Sequence, residues 1–395
     1  MDPVLYLLGR AVVGLVQRLP LEWVARLGRG VGGLVYWLDA RHRRVARRNL
    51  GLCFGGEKSP AQIRALAREN FRRIGESFAC AVKTAAMSLE ELRPHVEFVS
   101  PQLQTTPPGQ APRRMVAAIG HFGNFELYAR TGQFAPAYHC ATTYRGFRQP
   151  SLNRLLQGLR QRSGCHFFER RFEGPALKAF MRPPGVLLGL LCDQAGGQNG
   201  LRLPFLGHEC WTSPAPAVFA LRYDCGLLVA ICYRIGLARW RIEADQEIPI
   251  REDGKARSLA AIMADVNRAF DAAVRRDPAN WFWVHNRWKS RGRGAGRGRN
   301  PKSEGPKREI RNPKAEGPKE IRNPKSEIRI RSFIWCGGCV KRERLWPQYG
   351  AQSQRQKAFG SGPSDFGLRI SFGFPSDFGL RISDFALRFE RIASL

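Results

Sequence analysis

His121 and Glu126, five residues apart in Gly120-His121-Phe122-Gly123-Asn124-Phe125-Glu126, are a pair whose types and spacing suit proton transfer. In one continuous helix the two side chains would point about 140° apart, at about 100° per residue, and would not meet. The segment must therefore turn, and Gly120 and Gly123 permit it. Asn124 is a good N-cap for a helix starting at Phe125, which places Glu126 in the first turn, where a carboxylate suits the helix dipole. In that geometry Glu126 is expected to accept the proton-bearing ring nitrogen of His121. The other nitrogen is left to deprotonate a substrate hydroxyl, so the alcohol is activated without an enzyme nucleophile. Chance supplies a His and an acid at this spacing often, and the plain alternative is a hydrogen-bonded histidine at a strand end with Glu126 merely supporting a helix start.

Other residues can take part in such chemistry. Arg145, after Thr143-Tyr144, suits a phosphate or a developing oxyanion, or else a surface position. Asp193 and Gln194 follow the apolar run Gly185 to Cys192; carboxylates at strand ends often face ligands in α/β sheets, and a structural turn carboxylate fits equally well. His285 reads as structural. Trp281, Phe282 and Trp283, followed by Arg287 and Lys289, suit a membrane interface with cations at phosphates, although at least two of the rings are expected in the core. No Gly-x-Ser-x-Gly elbow occurs and no cysteine has a catalytic setting, which argues against a hydrolase. The ten cysteines lack a paired framework and read as reduced thiols, and Cys336-Gly-Gly-Cys339 has no second pair, so no metal site is expected.

The elements that must position these residues change character along the chain. Residues 1–90 carry apolar positions at helical spacing, through Leu21, Trp23, Val24 and Leu27 and again from Ile63 to Phe78. After the Pro- and Thr-rich stretch at Thr105 to Pro112, short apolar runs alternate with helical ones, the pattern of an α/β fold with a central sheet flanked by helices. Strands are expected at Met115 to Ile119, Gly185 to Cys192, Leu227 to Tyr233 and Trp240 to Ala244. Helices are expected near Phe125 to Gln133, Ser151 to Ser163, Pro214 to Tyr223 and Leu259 to Arg275. Residues 91–289 form the expected α/β domain, ending near Lys289.

The formal charge of +31 calls for an anionic partner: nucleic acid, an acidic membrane or a phosphorylated substrate. Residues 1–289 carry +18 and residues 290–395 carry +13, so the basic character does not depend on the C-terminal part. No secretory signal is evident. The apolar stretches Val4 to Leu8 and Ala11 to Val16 are broken by Arg10, Arg18 and Pro20, shorter than a spanning helix needs, so an interfacial helix is expected. The Arg41, His42, Arg43, Arg44, Arg47, Arg48 cluster that follows suits anionic head groups.

Past Ser290 the sequence becomes Arg-Gly-rich, then runs through near-repeats of Asn-Pro-Lys-(Ser/Ala)-Glu and of Ser-Asp-Phe-Gly-Leu-Arg-Ile, and is expected to be disordered. Codons for Asn323 to Arg329 exist whose reverse complement encodes Ser-Asp-Phe-Gly-Phe-Arg-Ile. One base change turns that into Ser364 to Ile370, as expected of a translated inverted DNA repeat; the gene sequence decides this. An Arg-Gly-rich nucleic-acid arm at Arg291 to Arg299 is the alternative.

Four ordered blocks resemble the lipid A biosynthesis lauroyl/myristoyl acyltransferases of the lysophospholipid acyltransferase superfamily. They are Gly120 to Leu127 with its His-x4-acid pattern; Thr143-Tyr144-Arg145 leading to Asn153-Arg154-Leu155; Leu190 to Gln194 followed by Leu203 to Gly207 and Thr212; and Asn280 to Lys289. The resemblance implies a glycerolipid-acyltransferase-like fold. It also implies acyl transfer from an acyl-carrier-protein thioester, or from CoA, to a hydroxyl of a glycolipid at the cytoplasmic face of the inner membrane. No cofactor or metal is implied, and no specific nucleic-acid partner is expected. By motif match His121 is the general base and Glu126 its partner. Arg145, Asp193 and Gln194, with Asn124 beside the dyad, are expected to bind substrate. Another glycolipid or phospholipid acceptor, or a basic nucleic-acid-binding protein, are the alternatives.

Overall fold

The computed structural model describes residues 2–105, 110–147, 149–197 and 200–289, together with a short antiparallel pairing of Arg369–Ile370 with Leu380–Arg381. The repeats and Cys336-Gly-Gly-Cys339 otherwise lie outside the described residues, and so does the expectation of disorder there. The described residues from Asp2 to Lys289 belong to one compact unit.

Four helices open the chain: α1 (Asp2–Arg18), α2 (Leu21–Leu38), α3 (Ala40–Phe54) and α4 (Pro60–Thr84). Pro20 separates the first two. Asp39 caps α3 by accepting the backbone N–H of His42, and α4 starts at a reciprocal Ser59/Gln62 capping box with Pro60 in the first turn. Helices α2 and α4 cross closely because Gly28 and Gly32 face Gly75; a Cβ on Gly75 would lie 2.2 Å from the Gly28 carbonyl oxygen. Glu76 of α4, 1% exposed, binds this prelude to the rest. It accepts from Arg29 of α2 at 3.1 Å, from Arg234 at 2.8 Å and from the Ala238 backbone N–H at 3.1 Å.

After α5 (Leu89–Leu92) come β1 (Val96–Val99), α6 (Pro101–Gln104) and β2 (Met115–Ile119), whose five residues are all buried. A 3₁₀ segment Phe125–Arg130 runs into α7 (Thr131–Phe134), then β3 (His139–Tyr144), α8 (Pro150–Arg160), β4 (His166–Glu169), α9 (Gly174–Phe180) and β5 (Val186–Leu191). The hairpin β6 (Leu201–Phe205) and β7 (His208–Thr212) precedes α10 (Ala215–Tyr223), β8 (Gly226–Gly236), β9 (Arg239–Glu247) and α11 (Leu259–Arg276). Seven strands form one sheet in the order β1-β9-β8-β2-β5-β3-β4, parallel throughout except for the β8/β9 hairpin pairing. The expected central sheet flanked by helices is thus observed. Strands β1, β3, β4, β6 and β7 are additions to the sequence reading.

The chain leaves β2 toward β3 and β4, returns to insert β5 beside β2, and then places β8 on the other side of β2. Strand order therefore reverses around β2, the place in open α/β sheets where ligands collect beyond the carboxyl ends of the strands. No described helix is long and apolar enough to cross a membrane. Among the described residues, ten of the sixteen exposed large apolar ones nevertheless sit on α1 and α2, from Val4, Leu7 and Leu8 to Leu34 and Trp37, so the apolar exposure described is concentrated on one helical pair.

Candidate active site

His121 stands two residues beyond the end of β2, and Asp193 two residues beyond the end of β5. These neighbouring strands pair with Ile119 opposite Leu191, so continuing the register brings His121 level with Asp193. The Nδ1 atom of His121 lies 2.8 Å from Asp193 Oδ1, and the His121 backbone N–H donates to Asp193 Oδ2 at 2.9 Å. The indole N–H of Trp281 donates to the same Oδ2, also at 2.9 Å. The carboxylate is fully buried. Burial alone would raise its pKa, but the His121 imidazole, its hydrogen bonds and that of Trp281 outweigh burial and hold Asp193 below the usual carboxylate range. An ionised carboxylate only accepts, so Nδ1 presents a proton to it, and in the neutral ring the lone pair is on Nε2.

This arrangement corrects the sequence expectation for Glu126. Its carboxylate is engaged by Arg160, whose Nη2 donates at 2.7 Å and Nε at 3.2 Å, while the Nδ1 of His121 is taken by Asp193. The physical reason is the turn. Gly123 adopts φ +48°, Phe122 pairs with Trp281 in an isolated bridge, and the Gly123 N–H donates to the Asn280 carbonyl at 3.1 Å. The segment after His121 is thereby stapled to the closing strip of the domain, and Glu126 emerges beside α8. Asn124 is also corrected: it starts the 3₁₀ segment without a side-chain cap, is buried, directs its amide toward Thr84 Oγ1 at 3.5 Å, and does not line the cavity described below. Asp193 likewise stands behind His121 rather than on the cavity wall.

The cavity in front of His121 holds about 1280 Å³, more than the roughly 300–1,000 Å³ of ordinary small-molecule sites. His121, Glu126, Arg145, Arg160 and Gln194 line it, and its walls are otherwise mostly apolar. The imidazole is flanked by Phe125 and Phe282, with ring centroids 5.0 and 5.7 Å away. The Gln194 side-chain nitrogen lies 3.5 Å from His121 Nε2, the position a substrate hydroxyl would take. Arg145 and Arg170 follow Tyr144 and Glu169, which are paired at the ends of β3 and β4, and both arginines reach the cavity. One buried nitrogen of Arg160, Nη1, has no hydrogen-bond partner.

Sequence reasoning missed the role of the closing strip. Trp281 and Trp283 are buried, and Arg287 is wholly inside, donating to the Gln194 and Trp211 carbonyls and to Thr212 Oγ1. The expectation that at least two of the rings lie in the core is met by Trp281, Phe282 and Trp283, whereas the interfacial reading of Arg287 is replaced by a structural one. Asn49 and Asn70, from α3 and α4, donate to carbonyls of the same strip. His285 is structural as expected: its Nε2 accepts the Ala195 N–H at 3.2 Å, and burial, with Arg287 and Lys289 adding to it, pushes its pKa down to about 4. All eight described cysteines are free thiols.

A carboxylate-held imidazole facing a large apolar cavity, at the strand ends of a mostly parallel sheet, has the geometry to take a proton from the hydroxyl of an apolar substrate. The chain belongs to the bacterial lipid A biosynthesis acyltransferase family, whose profile matches residues 3–290. It is similar to the lipid A biosynthesis lauroyltransferase of Escherichia coli (strain K12), with 25% identity over 293 residues, 73% of this chain and 92% of the relative. Its similarity to the lipid A biosynthesis palmitoleoyltransferase of the same strain is 24% identity over 290 residues, 72% of this chain and 90% of that one. A Shigella flexneri lipid A biosynthesis acyltransferase matches equally, at 24% over 290 residues. The enzyme is thus an acyltransferase, and the matches leave residues 291–395 outside the family region.

Proposed function

We propose that this enzyme transfers a fatty acyl chain from an acyl-carrier-protein thioester, or from acyl-CoA, to a hydroxyl of a lipid A precursor at the cytoplasmic face of the inner membrane. The observation that carries the reading is the His121 imidazole fixed by Asp193 with its Nε2 beside a large apolar cavity. Nε2 takes the proton from the acceptor hydroxyl as its oxygen attacks the thioester carbonyl. The tetrahedral oxyanion collapses, the carbon–sulfur bond breaks, and the imidazolium returns the proton to the leaving thiolate. Asp193 holds the ring's orientation throughout and stabilises the imidazolium.

Gln194 yields its place at Nε2 to the acceptor hydroxyl. Arg145 and Arg160 meet anionic groups of the substrates, and Glu126 acts on the reaction by fixing Arg160 rather than by holding the imidazole. The apolar face of α1 and α2 lies on the bilayer, with the exposed arginines Arg41, Arg44, Arg47 and Arg48 of α3 against anionic head groups at roughly 1 kcal/mol each.

The test is acyl transfer by the purified protein, with acyl-carrier-protein and CoA donors offered separately to a lipid A precursor and product read by mass spectrometry. Transfer by wild type that His121→Ala abolishes is the expected result. Thioester hydrolysis without acylated glycolipid overturns the reading.

A further inference from the structure

Strands β3 and β4 end side by side at the edge of the sheet, and on each the residue after the last pair is an arginine. Tyr144 is level with Glu169, so Arg145 and Arg170 leave neighbouring strands together, and the Arg170 backbone N–H donates to the Tyr144 carbonyl at 3.0 Å. Adjacent strands stand about 4.8 Å apart, a separation that two guanidinium side chains readily bridge. The buried Glu169 ties the two loops to each other. Its Oε1 accepts the Gly146 N–H at 3.2 Å and its Oε2 the Arg171 N–H at 2.7 Å, so one carboxylate fixes the backbone beside both arginines.

Among the described residues four arginines line the cavity: Arg130, Arg145, Arg160 and Arg170. Two are occupied by the protein itself. Arg130 donates to Gln133 and to the Thr84 and Met87 carbonyls, and Arg160 donates to Glu126. The side chains of Arg145 and Arg170, both exposed at the cavity's rim, make no ion pair and no hydrogen bond among the described residues. Partial enclosure, and after it the neighbouring Arg145, push the pKa of Arg170 down from its ordinary value, with Glu169 offsetting part of the effect. Arginine stays protonated all the same, so two positive charges are held together where the cavity opens.

We propose that Arg145 and Arg170 form a clamp for a phosphate monoester at the rim of the cavity, carried by the sugar of the acceptor or by the CoA of the donor. The proposal rests on the acyl-transfer reading above. A phosphate monoester carries about −1.5 to −2 near pH 7, which matches two guanidinium groups, and its three free oxygens suit two donor forks. A phosphodiester or a carboxylate carries a single charge and leaves one arginine unmatched. The strand order β2-β5-β3-β4 sets β3 and β4 roughly 10 and 14 Å from the strand that carries His121. At that distance the clamp orients a substrate and takes no part in bond making, so its loss belongs in KM.

The experiment measures steady-state kinetics for wild type, Arg145→Gln, Arg170→Gln and, as an exposed neighbouring cation that does not line the cavity, Arg171→Gln. Melting temperature establishes that each variant is folded. In one arm the acceptor is a phosphorylated glycolipid or the same lipid after phosphatase treatment, with an acyl-carrier-protein thioester as donor. In the other arm the donor is acyl-CoA or acyl-3′-dephospho-CoA. Arg145→Gln and Arg170→Gln are each expected to raise KM about ten- to a hundredfold for the substrate with the monoester, with kcat nearly unchanged. Removing that monoester is expected to abolish the difference from wild type. A loss confined to the first arm assigns the clamp to the sugar phosphate, and one confined to the second assigns it to CoA. Folded Arg170→Gln with wild-type KM in both arms, an equal rise with and without the monoester, or an equal rise in Arg171→Gln overturns the clamp. Wild type that transfers no acyl chain from any donor overturns the underlying acyl-transfer reading instead.

Discussion

Two carboxylates near the same imidazole have opposite surroundings. Asp193 sits at the end of a buried strand, wholly enclosed, with three donors from His121 and Trp281 on its two oxygens. Glu126 sits in a 3₁₀ turn five residues after His121, partly exposed, paired with a guanidinium that also stacks over Phe167 at 4.6 Å. Sequence proximity favours Glu126 and the sheet register favours Asp193. A buried, fully satisfied acceptor fixes a ring's tautomer, whereas a partly solvated ion pair fixes a cation, so the two acids do different work.

That contrast is broken most sharply by comparing Asp193→Asn with Glu126→Gln. Asp193→Asn presents an amide to Nδ1, permits the wrong tautomer, and is expected to lower kcat by about 10³-fold, while Glu126→Gln releases Arg160 and costs on the order of tenfold, mainly in KM. Steady-state kinetics of the two purified proteins decide it, and equal losses in kcat erase the distinction. The wall behind Asp193 can be probed through His285. Because its folded pKa is depressed to about 4 from 6.5, the unfolded chain takes up the proton first as pH falls. The stability it supports is complete above pH 6.5 and declines by roughly 3 kcal/mol toward pH 4. Denaturant unfolding across that window in wild type and His285→Gln should show a shallower decline in the variant.

A smaller effect is expected at the bend that keeps the acids apart. Gly123 has φ +48°, and a Cβ there would lie 2.6 Å from the Cys232 carbonyl oxygen. Gly123→Ala is expected to cost roughly 1–3 kcal/mol in chemical denaturation and to lower activity by displacing His121. The smallest effect belongs to the outer surface. Leu7→Glu and Leu34→Glu, both on exposed positions, should weaken binding to anionic vesicles about tenfold each in a flotation assay while leaving folding unchanged. Unaltered binding detaches the helical face from the membrane reading.

Much of this architecture could be read from local pattern. The continuous apolar runs at β2, β5 and β8 announced buried strands, and helical spacing announced α2 and α4. Strands β3 and β4 were hidden because His139 to Tyr144 and His166 to Glu169 mix polar residues into sheet positions near an edge. Pro204 concealed β6, a hairpin strand. His121 was legible from its glycine-flanked turn, yet its partner was not, since 72 residues separate it from Asp193. One signal was present: Ile119-Gly120-His121 and Leu191-Cys192-Asp193 place a polar residue at the same offset past an apolar strand. Only the adjacency of β2 and β5 turns that offset into a hydrogen bond. Arg287 shows the reverse case, a cation whose type suggested a surface and whose three hydrogen-bond partners hold it inside.

The claim that Asp193 fixes the His121 tautomer is tested most directly by nitrogen-15 NMR of the imidazole at pH 8. In wild type the proton is expected on Nδ1 with Nε2 unprotonated, and in Asp193→Asn that preference is expected to disappear while Glu126→Gln retains it. A ring protonated on Nε2 in wild type, or a preference lost in Glu126→Gln and kept in Asp193→Asn, would contradict the account.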